Sequence, residues 1–392
     1  MDVEVIVVGA GPAGAAAAIA LGRAGREVLL LDRAAFPRDK PCGDLIGARA
    51  LAAARRLGID EGVIAPYHPL AGAVISTGAS ILNLAPATAM GRRFLASSDA
   101  RVIPRVVFDA SMVAAAQRAG ASVRRVSVRH VGPWDGSGRV VSGKGKDGAI
   151  ELRSRVVINA GGYGSRVVVD GSPVRRAVVE PRRGIAMRGY LAGVTSPPDR
   201  IVFSLDRWIL PGYGWVFPLP DGTANIGVGT LTAPDGSHGI EHLQRLYQRF
   251  VDDRSSPVAA WLENAVPTGP PRTWPLDLGP RRRQLIADGL VVAGEAAALV
   301  GPLTGAGIAF ALASGEEAGQ TVAAALSAGD ARSPALAPYA LAIHRRYRPW
   351  LRAESWAQRF LSDPGRLDSL LAIVRPLPIM PAIGARLLLH LG

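Results

Sequence analysis

The 392-residue chain has a single cysteine, six histidines, only 6% aromatic residues and 45 basic residues, among which lysine occurs only at Lys40, Lys144 and Lys146. One thiol, Cys42, cannot close an intrachain disulfide, which excludes a disulfide scaffold. No basic leader with a small-residue cleavage site precedes the first apolar run, and with the lone cysteine this points to the cytoplasm. Uninterrupted apolar runs of membrane-spanning length are missing. The best candidate, residues 370–391, contains Arg375, Arg386 and prolines at 376, 378 and 381, so it cannot cross as one continuous helix. A peripheral membrane contact is left open.

The scarcity of lysine makes the net charge of +13 almost wholly an arginine charge, scattered through a chain rich in Ala, Gly, Pro and Val. GC-rich coding explains that pattern as well as an anionic partner does. Its one dense cluster, Arg281 to Arg283, has no interleaved aromatics, which speaks against nucleic acid. His238 and His242 have the spacing of two ligands on a helix but no third ligand follows, so no metal is expected. There is no G-x-S-x-G elbow, and Ser165 reads as a turn residue rather than a nucleophile. With 48% hydrophobic and 20% charged residues the chain is globular, and its length exceeds one compact domain.

Val3 to Val8 reads as a buried parallel strand, residues 13–24 as a helix and Glu27 to Leu31 as a second strand. Residues 71–84 and 182–229 read as strands with turns, two pieces of one antiparallel sheet, with a long alternating stretch from Trp215 to Gly229. Between them come a helix over Phe108 to Arg118 and a strand over Arg155 to Asn159. A further strand from Leu285 to Ala293 precedes a helix from about Gly305 to Ala325. Aromatics at helical spacing (Tyr339, Tyr347, Trp350, Trp356, Phe360) predict C-terminal helices from residue 338 onward.

The first strand runs into Gly9-Ala10-Gly11-Pro12-Ala13-Gly14, a G-x-G-x-x-G that opens a helix, and Asp32 ends the next strand. Bare backbone amides at a helix N-terminus suit a pyrophosphate, and an acid about 20 residues on suits a ribose. A dinucleotide is expected here. Gly294-Glu295-Ala296-Ala297, followed by Pro302-Leu303-Thr304-Gly305-Ala306-Gly307 and a helix, forms a second backbone nest.

With these residues in view, the chain resembles flavin-dependent oxidoreductases of the p-hydroxybenzoate hydroxylase fold, and most of all the geranylgeranyl reductase family, over about residues 1 to 320. The similar motifs are Lys40-Pro41-Cys42-Gly43-Asp44, Arg105 with Phe108 and Asp109, and Pro211-Gly212-Tyr213-Gly214-Trp215-Val216-Phe217-Pro218 followed by Ala224 to Gly229. The resemblance implies an α/β fold with a Rossmann-like FAD domain of discontinuous segments (1–70, 97–175, 280–337), an antiparallel substrate sheet domain (71–96, 176–279) and a helical extension (338–392). It implies FAD as cofactor, contacted by Gly9, Gly11, Pro12, Ala13, Gly14, Asp32, Arg33, Cys42, Gly43, Arg105, Gly162, Gly294, Glu295, Pro302, Gly305, Ala306, Gly307 and Ile308. Cys42 would lie beside the isoalloxazine and is the candidate catalytic residue, a proton donor if Arg38 or Lys40 lowers its pKa. Tyr213, Trp215 and Phe217 alternate along a strand, so they share one face, and would line the substrate cavity. Asn225 is then expected at the rim or on the opposite face.

Two departures from the family pattern stand out. Ala160-Gly161-Gly162-Tyr163-Gly164-Ser165 lacks the aspartate of A-D-G-x-x-S, and Glu295 replaces the aspartate of G-D-A-A. They point away from rapid direct reduction by NAD(P)H and toward a redox partner. The expected partner is an apolar or aromatic small-molecule substrate, and the expected reaction is saturation of a carbon-carbon double bond in an apolar, isoprenoid-like substrate by hydride from reduced flavin. The alternatives are a monooxygenase or oxidase acting on an aromatic or polycyclic biosynthetic intermediate, and a catalytically silent flavin-binding protein.

Overall fold

The computed structural model describes residues 2–77, 81–84, 99–163, 167–170, 183–232, 239–279 and 284–366, with 369, 383 and 389. Arg281 to Arg283, His238, Ser165 and nearly all of 370–391 lie outside the described residues. Among the described residues, no helix is long and apolar enough to cross a membrane.

The first sheet has a parallel centre. In spatial order it runs Ser122–Arg125, Val28–Asp32, Val3–Val8, the second half of Gly148–Asn159, and Leu290–Val292. Val3–Val8 is an unbroken β-branched and acidic hexamer buried along its length except at Glu4, as a central strand requires. Val8 stands level with Leu31 on one side and Asn159 on the other, so the strands' C-terminal ends are aligned. The chain leaves Val3–Val8 to one side first and returns on the other only at Gly148–Asn159. That reversal opens a crevice at the strand ends, the place where doubly wound sheets bind ligands.

Two helices bring their N-termini to this crevice. Pro12–Arg23 and Ile308–Ser327 pack through small residues: a Cβ on Gly315 would collide with the Ala13 carbonyl, and one on Gly319 would stand 2.7 Å from the Ala20 Cβ. Alanine and glycine let the two backbones meet, which fixes both helix starts side by side.

Among the described residues the second sheet has eight strands in the order Val266–Pro267, Arg183–Ala192, Thr223–Leu231, Tyr213–Pro218, Arg200–Ser204, Gly72–Ser76 and Ile81–Asn83, with Arg272–Asp277 also on Arg183–Ala192. It is not wholly antiparallel: Arg200–Ser204 and Gly72–Ser76 pair parallel, since no hairpin joins these distant segments. The run from Trp215 to Gly229 is a hairpin of two strands turning at Asp221-Gly222, where the Leu219 N–H donates to the Thr223 carbonyl at 2.8 Å. Leu285 to Ala293 likewise breaks into Ile286–Ala287 and Leu290–Val292 around Asp288-Gly289, with Gly289 at φ +63°. Asp-Gly is the residue pair such a turn demands.

Behind the second sheet, helix Ile240–Asp252 buries Leu243, Leu246, Tyr247 and Phe250, and the Phe250 ring fills the space where Gly214 has no side chain. His242 sits in this helix. The C-terminal helices are Ser333–Arg346 and Arg348–Leu361; the first runs through Pro338 without a break, and its buried Tyr339 donates to the Val292 carbonyl at 2.7 Å.

Candidate active site

The loop after the first strand is shaped by its own glycines. Gly9 has φ +97° and a Cβ there would stand 2.5 Å from the Ala160 carbonyl oxygen, while one on Gly14 would collide with the Gly9 carbonyl. Gly11 differs: a Cβ on it would meet only an Arg38 Nη2 at 3.5 Å. Two glycines thus serve close packing, and the middle one leaves open space over bare backbone beside a cation. That arrangement fits the pyrophosphate of FAD. Asp32 ends the second strand, accepting the Ala10 N–H on one carboxylate oxygen and the Ala34 N–H on the other, both at 2.8 Å. It therefore braces the glycine loop itself, beyond the ribose contact expected of it. Arg33 follows, exposed. Pro12 reaches the main cavity, whereas Gly9, Gly11, Ala13, Gly14, Asp32 and Arg33 stand outside its lining.

Across the crevice Gly294 has φ +66°, its N–H donates to Ser314 Oγ at 3.0 Å, and Glu295 lines the cavity. Glu295 Oε2 is 3.0 Å from Lys40 Nζ, and an ideal Cβ on Gly162 would lie 3.5 Å from the same oxygen. The two departures from the family pattern therefore face each other, the longer acid reaching across the position that lacks a side chain. Pro302, Gly305, Ala306, Gly307 and Ile308 also line the cavity.

The Lys40–Asp44 loop forms the roof. Cys42 is half-buried and lines the cavity with Gly43 and Arg105. Arg105 is buried and grips both oxygens of Asp109 at 2.7 Å. Burial opposes its charge, but Asp109 and then the Cys42 side chain, with which it shares a hydrogen bond, hold its pKa above the ordinary value. The cation against Cys42 is thus Arg105. Arg38 is instead paired with Asp109 at 3.1 Å, and Lys40 with Glu295.

Tyr213, Trp215 and Phe217 line the cavity together, joined by Phe203 from the next strand. Neighbouring ring centroids are 5.3 to 6.2 Å apart. Trp215 spreads over Gly227, its direct partner across the hairpin, where any Cβ would strike the indole. Phe217 covers Gly43, and the Tyr213 hydroxyl donates to the Thr304 carbonyl at 2.7 Å. The rings therefore touch both the Lys40–Asp44 loop and the Pro302–Gly307 loop.

Asn225 is placed differently from expectation. It pairs directly with Phe217 across the hairpin and so lies on the same face, fully buried. Its Oδ1 accepts from Trp215 Nε1 at 2.9 Å; its Nδ2 donates to the Cys42 carbonyl at 2.8 Å and to Asp44 Oδ2 at 2.7 Å. Counting back from the Asp221-Gly222 turn would have revealed this facing position. Asp44 is a second group that sequence reading missed. It is fully buried with φ +64°, and its carboxyl also accepts from the Tyr190 hydroxyl at 2.5 Å and the Arg105 N–H at 3.2 Å. Burial pushes its pKa up to about 6 against the pull of these donors and of Arg188.

Comparison with known proteins agrees with this geometry. Residues 2–177 match a family described as an FAD binding domain. The chain is 33% identical over 395 residues to a menaquinone reductase of Mycobacterium tuberculosis, covering 98% of this chain and 87% of that protein. It is 34% identical over 346 residues to digeranylgeranylglycerophospholipid reductase 1 of Methanopyrus kandleri, covering 86% and 85%. Among solved structures, a geranylgeranyl bacteriochlorophyll reductase-like protein of Thermoplasma acidophilum superposes with a TM-score of 0.83 at 23% identity, covering 98% of this chain and 96% of that one. The last likeness speaks for the fold.

Proposed function

The chain belongs to the geranylgeranyl reductase family of FAD-dependent oxidoreductases, and from that premise we propose that it saturates a carbon-carbon double bond in an apolar, isoprenoid-like substrate. One observation carries the reading. A single cavity is bounded by both loops that suit the flavin, around Cys42 and around Gly305, and by five aromatic rings, those of Phe203, Tyr213, Trp215, Phe217 and Trp274, that can bury a hydrocarbon chain. Bound FAD, once reduced, supplies the hydride. The protein's part is to align and to keep water out: Tyr213 and Phe217 join the aromatic wall to the two loops, so a chain lying on the rings lies against the cofactor site. Cys42 lines the cavity beside Arg105, with which it shares a hydrogen bond, and is the candidate proton donor to the second alkene carbon.

The cavity face also has a polar end. Arg188, paired across the strands with Gly227 and Arg272, lies in the same row as Trp215, and Trp274 lies in the row of Tyr213. Between the aromatic and polar ends run only Gly227, Gly229 and Ala186, a shallow trough. This favours an amphiphile with an oxygen-bearing head and an unsaturated tail, a description that the names of both relatives fit. Electrons would come from a redox partner rather than rapidly from NAD(P)H, given the Glu295–Lys40 pair set against Gly162.

The test is anaerobic photoreduction of the FAD-loaded protein, followed by a prenylated quinone or a polyprenyl lipid, with product masses recorded. A gain of two hydrogens is expected. A gain of oxygen once air is admitted would replace this reading with the monooxygenase, and unchanged substrate with fully reduced flavin would refute both.

A further inference from the structure

We infer that Glu354, on the C-terminal helix Arg348–Leu361, is a positioning residue of the FAD site. It holds the Pro302–Gly307 loop in its cofactor-accepting shape, so the C-terminal helices complete that site. The inference rests on the FAD reading and concerns a residue beyond the stretch that carries the family motifs.

Glu354 is buried, and its carboxylate is spent on the loop. Oε2 accepts the N–H groups of Leu303 and Thr304, each at 3.3 Å, and the Thr304 hydroxyl at 3.1 Å. Oε1 accepts Trp350 Nε1 one helical turn back at 2.8 Å. A buried carboxylate is tolerated only when its oxygens are filled, and hydrogen bonds to an ionised acceptor are the strong ones. The loop is open to this approach: a Cβ on Gly301 would collide with Oε2 and stand 2.7 Å from the Thr304 hydroxyl, so a side chain there would push the carboxylate off its bonds.

From the other side the Tyr213 hydroxyl donates to the Thr304 carbonyl at 2.7 Å. Thr304 is therefore gripped on its N–H and hydroxyl by the C-terminal helix and on its carbonyl by the aromatic wall. Its hydroxyl in turn accepts the Ala306 N–H at 3.2 Å, and the Gly301 N–H donates to the Ala306 carbonyl at 2.8 Å. The grip passes along the loop to Gly307, which begins helix Ile308–Ser327 without any side-chain cap. What the first N–H groups of that helix meet depends on where this loop stands. Without Glu354, the Leu303 and Thr304 amides would seek other acceptors and the loop would shift.

A purely structural anchor would behave otherwise, and Tyr339 is the control: buried in the neighbouring C-terminal helix, it bonds the Val292 carbonyl and touches no cofactor loop by that bond. The experiment titrates FAD-free protein with FAD by flavin fluorescence, and records the melting temperature of the FAD-free form and the visible spectrum of the bound form. Glu354→Ala should weaken FAD binding by about tenfold or more and alter the bound spectrum. Glu354→Gln keeps one oxygen for the loop amides and should stay within about threefold of wild type. Tyr339→Phe should lower the melting temperature and leave FAD affinity unchanged. The inference is overturned if Glu354→Ala binds FAD as tightly as wild type, or if Tyr339→Phe weakens FAD as much. Should Glu354→Ala not fold, Thr304→Val removes the hydroxyl donor from the loop side; weaker FAD binding supports the inference and unchanged binding overturns it. Wild-type protein that takes up no FAD at all would instead overturn the FAD reading itself, and this inference with it.

Discussion

Around Gly11 the open side of the crevice is almost bare backbone, whereas around Cys42 and Trp215 it is made of side chains drawn from separate strands and a distant loop. On the proposed nucleotide side, close packing of Gly9, Gly14, Gly315 and Gly319 sets where amides and helix ends stand, and Asp32 accepts the loop's own Ala10 N–H. On the proposed substrate side, one amide, Asn225, ties Trp215 to the Cys42 carbonyl and to Asp44. Backbone sites fail when they are filled. Side-chain sites fail when a partner is left unpaired, and only they can respond to pH.

The sharpest way to break this contrast lies within the glycine loop. Gly14→Val must drive a side chain into the Gly9 carbonyl, so the loop, the helix start and the sheet edge cannot all keep their places. A loss of about 3 kcal/mol or more, seen as insoluble or unfolded protein, is expected. Gly11→Val meets only the flexible end of Arg38, so the fold should survive, but the new side chain occupies the pyrophosphate's space and FAD should be absent. Melting temperature and flavin content on both variants decide. If both behave alike, the division between packing glycines and a cradle glycine is wrong.

The same contrast explains what could be read from the chain. The glycine loop, Asp32 and the Pro302–Gly307 turn were legible because backbone sites depend on short local patterns: strand, glycines, helix, acid. The aromatic stripe was legible because alternation alone puts Tyr213, Trp215 and Phe217 on one face. Asp44, Glu354 and the partner of Cys42 were not, since each acts through contacts across many residues of chain, and Arg105 reaches Cys42 only once Asp109 has oriented it. The side that Asn225 faces depends on its register with Phe217 across the Asp221-Gly222 turn, which alternation along one strand does not set, and Asp288-Gly289 breaks the last strand in the same way.

Asp44 gives the next largest effect. The folded protein holds its proton up to about pH 6, whereas the ordinary value of 3.8 applies once the chain unfolds. Between those values the folded state binds more protons than the unfolded one. The contribution of Asp44 to stability is therefore fully present below about pH 4 and is lost as pH rises to about 6, by roughly 3 kcal/mol as an order of magnitude, with no further change from this group above that. Asp44→Asn cannot titrate and should lose this slope. Denaturant unfolding of wild type and variant from pH 4.5 to 7.5 checks it, the difference between the curves isolating Asp44 from other groups. Parallel profiles would mean that Tyr190, Asn225 and Arg188 hold Asp44 ionised throughout, and that the side-chain half of the site is no more sensitive to pH than the backbone half.

The smallest effect tests whether the two halves are separable. Trp215→Phe keeps a ring over Gly227 but removes the Nε1–H, leaving Asn225 Oδ1 buried without its donor. An orphaned buried acceptor costs about 1 to 3 kcal/mol, so the melting temperature should fall by several degrees. The Asn225 bonds to the Cys42 carbonyl and Asp44 do not pass through the indole, and the Tyr213 bond to Thr304 is untouched. FAD retention should accordingly stay at the wild-type level, while the enlarged cavity raises the substrate's KM severalfold with a smaller change in kcat. Flavin content, melting temperature and steady-state kinetics on one preparation give the answer. Loss of FAD with an unchanged KM would show the indole to be a support for the Cys42 loop rather than a wall for substrate, and the aromatic face would then belong with the cofactor half of the molecule.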